Sequence, residues 1–481
     1  MTMKNLEPRA VFEQFEPITQ IPRPSKKEEK IMEYLRQFAA KHNLACKTDE
    51  ANNVVISKPA TPGYENKPGV VLQAHTDMVC EKNADVNHNF LTDPIETYVD
   101  GDWLKAKGTT LGADNGIGMA MALAVLAAND LKHPAVDCLF TVDEETGLTG
   151  AFALKDGFFS GTRLINLDSE DDGEIFIGCA GGIDTLAKFK MEQEAAPEGY
   201  FSARIKVSGL LGGHSGDDIE KGRGNANKIL VRYLWKVNKA TDLRIAMMDG
   251  GNLRNAIARE AWAVVCVPMG YKETLRVELN HFAAEVENEL ALTDKGVTLS
   301  LETEEMPKTV FTKAFANRVL QALYACPHGV FAMSRTMPGL VETSTNMASV
   351  KMEGEYLVVN TSQRSSIESS KYDIMNKVEA VFLLAGAEVS HGDGYPGWQP
   401  NVNSALLKVA QKTFVTVAGK EPKVRAIHAG LECGLFLKKY PHLDMISIGP
   451  SMTGVHSPNE QLSISSTARC WEWLKAILAE L

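Results

Sequence analysis

Residues 70–78 read Val70-Val71-Leu72-Gln73-Ala74-His75-Thr76-Asp77-Met78, and this stretch decides the fold. Residues 70–74 form a continuous, almost wholly apolar run, the pattern of a strand whose sheet is covered on both faces. The run ends in a histidine and an aspartate. In open α/β sheets ligands bind outside the carboxyl ends of the strands, so these two residues stand where function is expected. Upstream, residues 53–57 read as another strand. Pro24-Ser25-Lys26-Lys27-Glu28 reads as a helix start, because Ser25 and Glu28 have capping-box spacing. Ile31, Leu35 and Phe38 then share one helical face. Downstream, residues 116–128 read as a buried helix, and residues 138–142 and 164–167 as strands. This alternation predicts an α/β fold built on a helix-flanked, mostly parallel sheet.

Two glycine-rich passages interrupt the rhythm and read as hinges: Gly178-Cys179-Ala180-Gly181-Gly182 and residues 391–400, HGDGYPGWQP. Between them the pattern shifts to longer segments, strand-like over 201–207 and helical over 277–290. After Pro400 the α/β rhythm returns, with a helix over 406–417, a strand over 445–448 and a helix over 467–481. With 481 residues the chain exceeds what a single core supports. The expected organisation is a catalytic domain from 1–184 and 399–481, interrupted by an inserted α+β lid domain at 185–398.

Sixty-one acids against fifty bases give a net charge of −11, which argues against nucleic acid or an anionic membrane as the main partner. The first twenty residues hold acids and no continuous apolar run, unlike a signal peptide. The longest apolar stretch, 118–128, is too short to cross a bilayer. Eight cysteines stand far apart with no CxxC pair, which argues against a disulfide framework or thiolate cluster and for a reducing compartment. The expected location is the cytoplasm.

Five short segments place His, Asp and Glu where predicted strands end: AHTDM (His75, Asp77), GADNG (Asp114), DEETG (Glu144, Glu145), NLDSE (Asp168) and GVHSPNE (His456). Each has a plain structural reading. An HxD step is usually a surface pair, an EE pair an exposed acidic step, and Asp before Asn-Gly turn chemistry. Asp168 reads as a helix cap and His456 as a loop histidine. Together, at strand ends on one side of a sheet, they suit divalent metals. Imidazole and carboxylate without thiolate favours zinc, with manganese or cobalt as rivals. Two competing motifs are weaker. In GHSGD a nucleophilic Ser215 would need glycine two residues on, where Asp217 stands. NGIGMA is only half a dinucleotide fingerprint.

The segments AHTDM, GTTLGADNGIG, DEETG, NLDSEDDGEIFIGCAGG and SIGPSMTGVHSPNE, in that order, resemble the cytosolic aminoacyl-histidine dipeptidases, within the larger family of two-zinc aminopeptidases, carboxypeptidases and deacylases. The resemblance runs over nearly the whole chain. It implies two divalent metals per chain bridged by Asp114, with His75 and Asp168 completing one site and Glu145 and His456 the other. It implies that Glu144 is the general base, and that Asp77 fixes the tautomer of His75. It also implies a cis peptide after the bridging aspartate, at Asp114-Asn115.

In the inserted domain, GGHSGD resembles the family's lid motif, whose histidine, here His214, polarises the scissile carbonyl, sometimes from a partner subunit. Asn255 and Arg364 match positions that bind the substrate's backbone and terminal carboxylate; their plain readings are a turn and a surface salt bridge. In AIHAGLECG, His428 and Glu432 look like further pocket residues, with the substrate's free amino group as a candidate contact. The implied substrates are dipeptides, of the Xaa-His type such as β-alanyl-histidine and other unblocked dipeptides, and the implied assembly a homodimer. The alternatives are an N-acyl amino-acid deacylase or tripeptidase of the same clan, and, in another class, a non-catalytic metal-dependent binding protein.

Overall fold

The structure is a computed structural model and describes residues 3–481. The chain divides into two compact units. The first takes the chain up to Cys179, then Trp398–Ala426 and Leu431–Leu481; the second takes Ala180–Gly397 and Ile427–Gly430. The first crossing thus falls after Cys179 rather than after 184. A short return, Ile427–Gly430, counts with the second unit although it lies inside the expected second catalytic segment. The glycines expected to act as a hinge have a packing reason. A Cβ on Gly181 would come within 2.4 Å of the Gly397 amide nitrogen, so only glycine lets the two backbones approach.

The first unit is built on an eight-stranded sheet, in the order Ala45–Thr48, Val54–Lys58, Val136–Thr141, Val70–His75, Arg163–Asn166, Asp444–Ser447, Glu174–Cys179, Lys423–Ile427. Its centre is parallel: Val70–His75 pairs in parallel with both Val136–Thr141 and Arg163–Asn166, and the latter with Asp444–Ser447. The outer pairings at Val54–Lys58 and Glu174–Cys179 are antiparallel. All residues of Val70–His75 and Val136–Thr141 are buried, as the apolar runs require when helices cover both faces. Each such Val or Leu contributes about 1.5–3 kcal/mol by leaving water.

The helix Ala113–Ala127 is apolar all round and buried from Asn115 to Leu126, packed on Val70–His75 and on the helix Arg9–Thr19. It begins earlier than the periodicity predicts, and its first turn is irregular: Asp114 and Asn115 leave helical geometry there.

The capping-box expectation at Ser25 and Glu28 is not met. The helix starts at Glu29, with Glu28 at the cap making no side-chain capping bond. The Ser25 hydroxyl donates instead to Asp77 (2.7 Å), and the Glu28 carboxylate accepts the Asp143 N–H (2.9 Å). Buried long-range partners outcompete the local cap, because leaving them unbonded would cost more than the cap gains.

The second unit holds a nine-stranded sheet whose pairings are antiparallel, together with the helices Ala226–Ala240, Lys272–Glu289, Lys313–Ala325 and Glu368–Leu384. Its core joins aromatic residues from strands and helices, among them Phe189, Tyr233, Phe282, Phe315 and Phe382. Among the described residues no helix is long and apolar enough to cross a membrane.

Candidate active site

In the first unit, all five expected segments meet at the carboxyl end of the parallel strands. His75 ends its strand and is buried. Its Nε2 lies 3.0 Å from Asp114 Oδ1 and 3.4 Å from Asp168 Oδ1. His456, half-exposed on the loop after residue 453, points Nε2 at Asp114 Oδ2 (3.1 Å) and Glu145 Oε2 (3.0 Å). Three groups of donor atoms within 4.8 Å of one another result: His75, Asp114, Asp168; His75, Glu144, Glu145; and Asp114, Glu145, His456. Asp114 belongs to two of them, one carboxylate oxygen facing each histidine. The Asp114-Asn115 peptide is cis, and the Asn115 side-chain amide donates to Leu167 O (2.9 Å) and to Asp168.

Asp77 lies two residues beyond His75 and is completely buried. Its Oδ1 stands 3.3 Å from His75 Nδ1, off the line of a good hydrogen bond, and accepts the Glu144 N–H at 3.0 Å. Its Oδ2 accepts the Ser25 hydroxyl and the Glu145 N–H (3.2 Å). One carboxylate therefore lies against the imidazole and anchors the turn that carries both glutamates. Burial works against its charge, but His75, then the Ser25 hydroxyl and the Glu144 N–H, outweigh it and hold Asp77 down at about 2.

The electrostatics favour positive charge at the cluster. Burial disfavours a charged His75, yet Asp168, Asp114 and Asp77 raise it well above the ordinary range. Bonds to Asp114 and Glu145 raise His456 to about 11. Burial, opposed by His75 and reinforced by Asp114 and Glu145, pushes Asp168 up to about 6. Burial and then the neighbouring Asp168, Glu432 and Glu145, against His75, push Glu144 well up. Glu145 Oε1 is buried without a partner among the described residues. Crowded acids that draw protons onto two imidazoles, with an orphan carboxylate oxygen, form a donor set that fits divalent cations, and no cysteine belongs to it.

Glu432 belongs to this unit too. Its Oε2 accepts from Gln73 Nε2 (2.7 Å) and the Thr141 hydroxyl (2.8 Å), while Oε1 is buried and unpartnered among the described residues. Burial raises its carboxyl to about 8. The sequence paired it with His428, but His428 lies in the second unit, with Nε2 on the Ser344 hydroxyl (2.7 Å).

The second unit gathers its own polar cluster. Arg364 is buried and donates from Nη1 to the Tyr395 hydroxyl (2.8 Å) and from Nε to the Ser215 hydroxyl (3.4 Å), with Nη2 3.5 Å from His214 Nε2. The plain reading of Arg364 as a surface ion pair therefore fails. His214 Nδ1 accepts the N–H groups of Gly216 and Asp217 (3.3 and 3.1 Å), and burial beside Arg364 lowers its pKa. Ser215 is buried against Arg364, not presented as a nucleophile. Asn255 is exposed; its carbonyl accepts the Ser215 N–H (2.8 Å), which ties its loop to the His214 motif.

Two residues that hold the first site together were not singled out from the sequence. Arg23 reaches the carbonyls of Thr76 and Asp77, and Glu460 reaches the N–H groups before Asp114. Glu460 lies in the very segment quoted for His456, and its only signal was an acid four residues beyond a candidate ligand.

A sheet with a parallel centre, whose strand ends present a two-histidine, acid-rich donor set, fits a metal-dependent enzyme. The chain belongs to peptidase family M20/M25/M40, whose sequence profile matches residues 71–480. It is 43% identical over 479 residues to the cytosol non-specific dipeptidase of Escherichia coli (strain K12), covering 100% of this chain and 99% of the relative. Among solved structures it resembles the aminoacylhistidine dipeptidase of Vibrio alginolyticus, with a TM-score of 0.95 and 42% identity over 100% of this chain and 98% of that one. A tripeptidase from Staphylococcus aureus shares the fold at a TM-score of 0.57 and 17% identity, covering 99% of this chain and 98% of that one.

Proposed function

We propose that this protein hydrolyses unblocked dipeptides, Xaa-His dipeptides such as β-alanyl-histidine among them, in the cytoplasm and as a homodimer. We assign it two divalent metal ions per chain, zinc before manganese or cobalt. In this reading Asp114, shared by two donor groups, would hold both ions, with His75 and Asp168 holding one and Glu145 and His456 the other. The observation that carries it is Asp114, with one oxygen toward each of two histidine-centred donor groups.

When bound, the cations supply Lewis acidity that lowers the pKa of water to about 7 and stabilises charge on the peptide carbonyl oxygen. The chain's own residues handle protons and position. Glu144 takes the proton of the attacking water at its carboxylate and returns it to the leaving amine nitrogen. Asp77 holds His75 and the Glu144–Glu145 turn in register. Arg364 takes the substrate's terminal carboxylate in its planar fork. Neutral His214 donates from Nε2 to the scissile carbonyl, and Asn255 binds the substrate backbone. His428 and Glu432 are assigned to the substrate as well, Glu432 to its free amino group. The names of the two full-length relatives support the dipeptide reading.

The test is a panel of an Xaa-His dipeptide, a dipeptide without histidine, its N-acetyl analogue and a tripeptide, each assayed before and after chelation. Chelation should abolish turnover and zinc, manganese or cobalt should restore it; full activity in verified metal-free protein removes the metal reading. Preference for the N-acetyl compound or the tripeptide makes the protein a deacylase or tripeptidase instead. Metal binding with no turnover on any member makes it a binding protein.

A further inference from the structure

Two fully buried ions grip the loop that carries Asp114, and the chemistry assigned above does not use either of them. Glu460 is 3% exposed and Arg23 is 2% exposed. The Glu460 carboxylate collects consecutive backbone donors: Oε2 accepts from Leu111 N (2.8 Å) and Gly112 N (3.1 Å), and Oε1 from Ala113 N (2.8 Å) and, more distantly, Asp114 N (3.4 Å). Arg23 takes the opposite side of the same chain. Its Nη2 donates to the Gly112 carbonyl, while Nη1 donates to the carbonyls of Thr76 (3.0 Å) and Asp77 (2.6 Å). Gly112 is held by both ions and has φ +68°; a Cβ there would lie 2.6 Å from the guanidinium. Glycine is required on both counts.

Burying ions this deeply is expensive, and well-packed apolar residues would usually serve stability as well or better. These two make position rather than bulk. Glu460 sits in the loop that also carries His456, whose ring faces Asp114 Oδ2. Arg23 holds the segment that follows His75 and includes Asp77. The two ions therefore lock three separate segments, at 75–77, 111–114 and 453–460, in one arrangement, and each segment brings a group of the donor set or its support.

We propose that Glu460 is a positioning residue of the metal centre: by gathering the N–H groups of residues 111–114 on one carboxylate, it fixes Asp114 against His456 before any cation arrives, with Arg23 as its counterpart on the carbonyl side. The proposal rests on the two-metal reading above. It concerns how the donor set is preorganised, not which residue performs chemistry.

The test is Glu460→Gln in the full-length protein. The amide keeps the size but replaces one acceptor oxygen with a donor, so at least one of the backbone N–H groups loses its partner. After metal stripping, zinc affinity is measured by competition with a chromophoric chelator, the cobalt(II) form is examined by visible absorption, and the metal-free melting temperature is recorded. A 10–100-fold weaker zinc affinity is expected, as for other residues that orient ligands, with an altered cobalt spectrum and turnover recovered to within about tenfold at saturating metal. A mere loop anchor would shift the melting temperature and leave affinity and spectrum alone. Folded Glu460→Gln with wild-type zinc affinity and cobalt spectrum overturns the proposal. Wild-type protein that binds no metal overturns the two-metal reading itself, so the two failures are distinct. Should the variant not fold, amide exchange in metal-free wild type decides. Protection of residues 111–114 equal to that of the zinc form supports a preformed clamp, and exchange at unstructured-loop rates overturns it.

Discussion

Asp77→Asn is the most informative single change, because four groups converge on that carboxylate and the substitution alters only its hydrogen-bonding character. The side-chain amide has two ways to sit. With its NH2 at the Oδ1 position it would face both the Glu144 N–H and His75 Nδ1, two positions now served by an acceptor. With its NH2 at the Oδ2 position it meets the Ser25 hydroxyl, which can rotate to accept, and the Glu145 N–H, which cannot. The second orientation is therefore preferred, and it strands one buried N–H. That costs about 1–3 kcal/mol. The bonds that remain lose their charge assistance, roughly another 1 kcal/mol each, offset in part because a neutral amide is cheaper to bury than an ion. The net loss of metal-free stability is expected at about 2–4 kcal/mol.

The functional effect separates from this. His75 keeps a neutral acceptor but no longer faces an anion, and the Glu144–Glu145 turn is released at one of its two N–H anchors. Metal affinity should fall about 10–100-fold, the range for groups that orient a ligand histidine. Denaturant unfolding of metal-free protein, chelator competition for zinc, and turnover of a dipeptide at saturating metal measure the three consequences independently. Stability within about 1 kcal/mol of wild type, together with zinc affinity within about twofold, would refute the idea that Asp77 organises both the imidazole and the turn.

Glu144→Gln should keep zinc affinity and substrate binding while turnover drops by a factor of about 10² to 10⁴ or more, the loss of a general base; if it loses metal while Glu145→Gln keeps it, the roles of the two glutamates are exchanged. Arg364→Ala should raise KM strongly for a dipeptide and narrow the gap between that dipeptide and its C-terminal amide, and an unchanged preference for the free carboxylate in steady-state kinetics removes Arg364 from substrate binding. Burial, with the charge of Arg364 nearby and that of His214 once it takes up its own proton, lowers His428 from 6.5 to about 3. The folded form then binds that proton more weakly than the unfolded chain, so stability is intact above 6.5 and falls as pH drops toward 3. The loss is about 2 kcal/mol at pH 5. His428→Gln should lack this component, and equal loss in urea unfolding of both proteins between pH 7.5 and 5 excludes it.

What could be read in advance is what local periodicity or strand ends announce. The run at 70–74 is legible because a strand covered on both faces has no polar positions to hide its period. The segments that hold His75, Asp114, Glu145, Asp168 and His456 were legible together as acid- and histidine-bearing stretches near predicted strand ends, whereas the assignment of these five rather than Asp77 or Glu144 as ligands came from the resemblance. Arg364 and His214 came from a resemblance; composition alone would have put Arg364 on the surface, whereas it is buried among Tyr395, Ser215 and His214. Ser25 was read locally and wrongly, because the spacing of Ser25 and Glu28 carries no trace of Asp77, 52 residues away.

Arg23 and Glu460 were missed for a related reason. Both bond to backbone groups, at sequence separations of 53 to 89 residues for Arg23 and up to 349 for Glu460. A side chain that recognises N–H or C=O leaves no complementary side chain to pair it with in the sequence. The demand was nevertheless readable. Residues 111–114 precede a wholly apolar helix and lie outside any predicted strand, so their N–H groups had no ladder partner, and a buried loop cannot leave them unbonded. Consecutive donors in a dry site call for an acceptor with several lone pairs, and a carboxylate answers that better than any neutral side chain. Glu460 meets it from the loop that also presents His456, and so the backbone's own hydrogen-bonding requirement at 111–114 becomes the means by which Asp114 is aimed.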